Sequence, residues 1–142
     1  MTVKIVTDSS CDLPDDLVAE LGIDVVPLTI RFGNEELVDR RDLTPSQFWA
    51  RCNTPAELPS TAAPAPGAFE EVFRKAAAEG AGGVVCVNLS SKLSATGESA
   101  AAAARAVADV VAVRVVDSLS VTLGLGMVAV ESARRAAAGA SL

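Results

Sequence analysis

Val84-Val85-Cys86-Val87, running on into Ser90-Ser91, is an unbroken apolar stretch of strand length that ends in hydroxyls. A strand with one wet face alternates apolar and polar side chains; this one does not, which predicts a strand covered on both faces. The pattern recurs at Val3-Lys4-Ile5-Val6-Thr7 before Asp8-Ser9-Ser10, and at Val110 to Val116 before Asp117-Ser118. Ile23 to Ile30 supplies a fourth apolar run. Between these runs the spacing is helical. Leu17, Val18 and Leu21 share a face that ends at Gly22, with Asp12 as a candidate cap, and Phe69, Val72, Phe73 and Ala76 share one that ends at Gly80. An alanine-rich helix is expected from about Ser94 to Val107, and another from Val121 to about Ala137 around Gly124 and Gly126. Thr44-Pro45-Ser46-Gln47 reads as a capping box that opens a helix through about Arg51. The order βαβ-α-loop-αβαβα predicts an α/β fold. The expected architecture is one Rossmann-like, three-layer domain over residues 1–142, with a mainly parallel sheet of about four strands and helices on both faces.

Two stretches read less regularly. Arg31 to Arg41 is charged, holds the Gly33-Asn34 turn signal and predicts a hairpin or excursion at the sheet edge. Asn53 to Gly67 carries Pro55, Pro59, Pro64 and Pro66, which excludes a regular helix or central strand and predicts a stiff, positioned loop. Phe48 and Trp49 read as core on the capped helix, and Asp15-Asp16 and Glu35-Glu36 as solvated charges.

Composition narrows the chemistry. The 142 residues are 50% hydrophobic, and 12 basic against 18 acidic side chains give a net charge of −6, so there is no basic field for nucleic acid. The N-terminus has neither the length nor the flanks of a secretory signal, and no run is long enough for an integral membrane segment, so the sequence reads as cytoplasmic. Three scattered cysteines without a C-x-x-C pair suggest neither a disulfide framework nor a thiolate metal cage. The histidine count is 0, which removes imidazole acid–base catalysis, Ser-His-Asp and Cys-His nucleophiles and histidine-ligated metals.

In parallel sheets ligands sit beyond the carboxyl ends of the strands. Here those ends carry Asp8-Ser9-Ser10, Ser90-Ser91 and Asp117-Ser118. Helix N-termini with neighbouring hydroxyls, as at Ser90, Ser91, Ser94 and Thr96, can hold a carboxylate or phosphate without a cationic side chain, although Ser and Thr are also ordinary caps. Asp8 fits two roles: a cap on its own turn through Ser10, or the carboxylate of a metal-dependent phosphotransfer or phosphate-ester enzyme. Dinucleotide binding is disfavoured, because DSSCDLP follows the first strand and no G-x-G-x-x-G does.

Four segments together resemble the DegV family: Val6-Thr7-Asp8-Ser9-Ser10-Cys11-Asp12-Leu13-Pro14; Thr61 with Pro64-Ala65-Pro66-Gly67-Ala68-Phe69; Ser90-Ser91-Lys92-Leu93-Ser94-Ala95-Thr96; and Val116-Asp117-Ser118 followed by Gly124-Leu125-Gly126. The resemblance spans the chain. It implies long-chain fatty-acid binding without catalysis or cofactor. In the FakB-like members it also implies presentation of the acyl carboxylate to a partner fatty-acid kinase. It carries the carboxylate-binding role onto Thr61 and Ser94, with Ser9, Ser10, Ser91 and Asp117 as supporting positions. Ala62 and Ala63 depart from the family's Ser and Gln, Ala65 from its cap, and Ala95 from the glycine of its LSGT motif. The family also implies a second, lipid-covering domain that these residues do not contain. From that come the expectations of weak lipid binding by this half alone and of self-association through an exposed lipid face. Leu28, Ile30, Leu119, Leu123 and Met127 are the residues expected on that face.

Overall fold

The structure, a computed structural model, describes residues 2–54 and 58–142. The apolar runs form β1 (Val3–Asp8), β2 (Asp24–Val26), β6 (Gly83–Asn88) and β7 (Val113–Asp117), joined in one parallel sheet in the order β2-β1-β6-β7. Helices α1 (Asp15–Glu20) and α5 (Leu123–Ala137) cover one face, and α3 (Pro66–Ala78) and α4 (Thr96–Ala106) the other. Alternation along each strand divides the core. Val6, Val84 and Cys86 pack with Phe69, Phe73 and Ala103, whereas Ile5 and Val87 pack with Cys11, Leu13, Leu125 and Val130. The predicted α/β architecture is therefore the one adopted.

The excursion is larger than the sequence predicts. Ile23 to Ile30 is not one strand: β2 stops at Val26, and β3 (Thr29–Phe32) belongs to a second, antiparallel sheet with β4 (Glu35–Val38) and β5 (Ser60–Ala62), in the order β4-β3-β5. Pro27 stands at the break, where a missing N–H cannot continue a ladder. β3 turns through Gly33-Asn34 into β4 (Glu35–Val38), with Gly33 at φ +58 as a tight hairpin requires. The predicted proline-rich loop contains β5 (Ser60–Ala62), which pairs with β3 and sets Thr61 opposite Ile30. Residues 55–57 of that loop, Pro55 among them, lie outside the described residues.

Helix α2 (Pro45–Cys52) starts as predicted. The Gln47 N–H donates to the Thr44 hydroxyl at 3.3 Å, and the Thr44 N–H donates to the Gln47 side chain at 2.8 Å. Its aromatic residues are not core as expected: Trp49 is 64% exposed, and Phe48 is half-buried against Phe32. Asp12 does not cap α1, whose N-cap is Pro14; it ends a short 3-10 turn, Ser9–Cys11, in the left-handed region at φ +51. β7 begins at Val113 rather than Val110, because the Val110 and Val111 N–H groups still donate to the Val107 carbonyl at the end of α4.

Candidate functional site

The strand order turns back between β1 and β6, since β2 lies on one side of β1 and β6 on the other. The crevice expected there is closed by Asp8. Its fully buried carboxylate accepts the Leu89 N–H at 2.9 Å and the Asn88 side-chain amide at 3.1 Å on one oxygen, and the Ser10 N–H and hydroxyl on the other. Four donors match the four lone-pair sites of a carboxylate, so none is left to receive a metal ion or a phosphoryl group. Asp8 is both the cap on its own turn and a bolt between two strand ends.

The other loops at this edge are tied to one another. The Ser90 N–H donates to the Ser120 carbonyl at 2.8 Å, the Ser118 N–H to the Asn88 carbonyl at 3.0 Å, and the Ser91 N–H to the Asp117 carboxylate at 3.2 Å. The Ser91 hydroxyl, then the Leu119 and Ser91 N–H groups, hold the Asp117 carboxyl below the usual carboxylate range. Ser9, buried, accepts the Leu28 N–H on its hydroxyl at 3.0 Å and so fixes where the chain crosses to the second sheet. Ser94 is half-buried just before α4. Its hydroxyl lies 2.9 Å from that of Thr96 and accepts the Thr96 N–H at 3.2 Å. Ala95, where the family motif has glycine, sits at φ −78, a conformation that needs no glycine. Ala65, in the cap position of α3, leaves that helix without a side-chain cap.

Between the two sheets and α2 opens a cleft of about 440 Å³. Leu28, Ile30, Pro45, Phe48, Trp49 and Val121 give it apolar walls, and Thr61, Ser10, Thr122, Asp12, Asp39 and Arg40 add polar groups. Its size and mixed lining suit a small amphiphile. Of the residues expected at a head group, Thr61 and Ser10 stand in this wall, while Ser94, Ser9, Ser91 and Asp117 do not. Of the expected lipid-facing residues, Leu28 and Ile30 line the cleft. Leu119, Leu123 and Met127 are instead exposed on and just before α5, outside it.

Sequence reasoning did not place Arg40, Asp12 or Trp49 at the site: Asp12 read as a cap and Trp49 as core, and Arg40 was not singled out. Arg40 and Asp12 both have left-handed backbones, at φ +64 and +51, and the guanidinium pairs with Asp15 at 3.1 Å. Burial raises the Asp12 carboxyl's pKa, against the opposing pull of Arg40. Only the folding of the second sheet brings these groups to the cleft. The one local signal was Phe48-Trp49, two adjacent aromatic side chains that a helix cannot turn to the same face. Among the described residues no cluster of three acidic or cysteine side chains is arranged to hold a metal ion, and no helix is long and apolar enough to cross a membrane.

Comparison with known proteins places this geometry. The family model described as "Uncharacterised protein, DegV family" matches residues 2–142. A DegV domain-containing protein of Clostridium perfringens is 34% identical over 142 residues, which are 99% of this chain and 50% of that protein. Among solved structures, DegV of Bacillus subtilis, described as a fatty acid binding protein, superimposes with a TM-score of 0.93 at 30% identity, covering 100% of this chain and 50% of that one. A DegV family protein from Thermus thermophilus, whose structure is described as showing fatty acid binding, gives 0.90 at 36% identity with the same coverage. The chain thus spans about half the length of the relatives it matches, and it belongs to the DegV family.

Proposed function

We propose that this chain forms the N-terminal half of a long-chain fatty-acid site, with the acyl carboxylate received by the hydroxyls of Thr61 and Ser94 and the tail laid along apolar walls. The observation that carries this reading is the place of Thr61. It stands in the wall of a cleft with apolar and polar sides at the strand ends, in a chain whose solved relatives are described as fatty acid binding at 30 and 36% identity. Ser10 faces the same cleft. Ser9, Ser91 and Asp117 act on the loops rather than on the ligand, through the bonds that tie the strand ends together. The positive end of α4, just beyond Ser94, favours an anion there.

The tail supplies affinity and the head supplies orientation. About 15 methylenes at about 0.8 kcal/mol each give a gross term near 12 kcal/mol, against about 3–6 kcal/mol for two hydroxyl hydrogen bonds to a carboxylate. A site with that division of labour carries a fatty acid and presents its carboxylate. In this reading the phosphoryl chemistry belongs to a partner kinase in the cytoplasm, and a second domain completes the lipid cover. Native mass spectrometry of the protein purified from bacteria tests it. An acyl chain is expected to co-purify with a form that carries both halves, and a ligand-free spectrum of that form overturns the reading.

A further inference from the structure

Arg40 stands in the wall of two clefts at once. It borders the cleft that holds Thr61 and, together with Asp39, a neighbouring cleft of about 310 Å³ whose apolar lining is Val18, Val25 and Pro27. Its guanidinium is held 3.1 Å from the carboxylate of Asp15, itself a wall residue of the smaller cleft, and its side chain is 21% exposed. The backbone at Arg40 lies at φ +64, a conformation glycine adopts freely and a residue with a β-carbon only under strain. A strained position that carries a long cation into a cavity wall is a position where the side chain is used.

We propose that Arg40 is the partition that sets how long an acyl chain the site accepts. This rests on the fatty-acid reading above and deepens it. With the guanidinium latched to Asp15, the apolar path ends in the larger cleft; with it removed, the two clefts join. An acyl chain cannot pass a guanidinium without stripping its water and its ion pair, so a charged partition stops a methyl end more sharply than a bulky apolar one. Around this partition the three carboxylates of Asp12, Asp15 and Asp39 outnumber the two guanidinium groups of Arg40 and of Arg41, which also lines the smaller cleft, so the balance disfavours the fatty acid's own carboxylate and leaves this end to the tail. The latch is a pair with a largely exposed partner, the kind of contact that opens readily.

Calorimetry or fluorescence displacement with saturated fatty acids from lauric to behenic acid, on a form carrying both halves of the site with the wild-type residue and with Arg40→Gly, reads the partition directly. Each methylene that finds apolar cover raises affinity about fourfold. In the wild type that rise stops where the methyl end meets Arg40. In Arg40→Gly it continues for about two or more further carbons, with a thermal midpoint at or above the wild-type value because the strain is relieved. Asp15→Asn unlatches the guanidinium without touching the Arg40 backbone and extends the rise in the same direction by less. Unchanged chain-length profiles in both variants, with fatty acid still bound, overturn the partition and leave the fatty-acid reading standing. No binding of any acid by wild type or variants overturns both.

Discussion

A β-carbon on Gly126 would stand 2.5 Å from the carbonyl oxygen of Cys11, so α5 meets the turn after β1 backbone to backbone. The same β-carbon would lie 2.8 Å from a methyl of the buried Leu13. That contact fixes the depth at which α5 lies on the sheet, and with it the positions of Val121 and Thr122 in the cleft wall. Gly126→Ala should lower stability by about 1–2 kcal/mol, because overpacking against backbone outweighs the better helix propensity of alanine. Gly67→Ala is the contrast. Nothing lies within 4 Å of its added carbon, and the change should be neutral or slightly stabilising. Urea denaturation of the two variants should give opposite signs, or a loss for Gly126→Ala alone.

Asp8→Asn should destabilise without removing any activity. An amide presents its own N–H groups to donors that the carboxylate now accepts, and each buried donor left unpaired costs about 1–3 kcal/mol. A loss of at least about 2 kcal/mol in denaturant unfolding is expected. Magnesium-dependent phosphoryl turnover in the wild type that vanished in this variant would instead give Asp8 a catalytic role.

Asp117 should titrate below the ordinary aspartate value of about 3.9, since the donors from Ser91 and Leu119 favour its charged form. A depressed folded-state pKa means the stabilisation is present above the unfolded-state value and is lost as pH falls through the folded one. The tie between the loops after β6 and β7 should therefore persist at neutral pH and loosen only in acid. Carbon-detected NMR titration of the Asp117 carboxyl checks it. A midpoint at or above the ordinary value would mean that the loops are not held by this carboxylate.

What the sequence made legible was local or periodic. The capping box at Thr44 and Gln47 is complete within four residues, and the apolar runs at Val3 and Val84 carry their two-sided burial in their own composition. The second sheet was not legible for a different reason. β5 is three residues long, and its partner lies thirty residues away, so no pattern inside Ser60–Ala62 distinguishes a paired strand from a loop. Ile23 to Ile30 reads as one strand through Pro27, and only the pairing of Ile30 with Thr61 and Leu37 shows that the chain there changes sheets. The cleft follows from that change, which is why Thr61 was found through its family motif and Arg40 was not found at all.

Thr61→Val and Ser94→Ala should separate holding a lipid from presenting it. Both substitutions delete a hydroxyl and leave the apolar walls in place, so the tail contacts survive. Each lost hydrogen bond to a charged group is worth about 1.5–3 kcal/mol, which is felt most where the carboxylate must be held in one orientation. In a form carrying both halves, phosphorylation by a fatty-acid kinase should fall at least about tenfold for either variant while acyl chains still co-purify. Equal loss of lipid and of phosphorylation would remove Thr61 and Ser94 from the head-group role.

The exposed apolar side chains around the start of α5 give the last prediction. Leu119 is 68% exposed, Leu123 55% and Met127 54%, with Val128 beside them, and none of the four borders the cleft. Large apolar side chains exposed close together in sequence, Leu123 and Met127 four apart on one helix, mark a place where something packs. In relatives of twice this length, a further half of the chain is available to pack there. Alone, the 142 residues should bind palmitate at least about tenfold more weakly than a form in which a DegV second half follows residue 142, because an acyl chain with one open side buries fewer methylenes. The chain alone should also self-associate as concentration rises, and Leu123→Glu together with Met127→Glu should return it to a monomer without unfolding it. Calorimetry and analytical ultracentrifugation measure the two effects separately. Equal palmitate affinity in the two forms would show that the site is complete within these residues, and a chain that stays monomeric at high concentration would show that the α5 surface needs no cover.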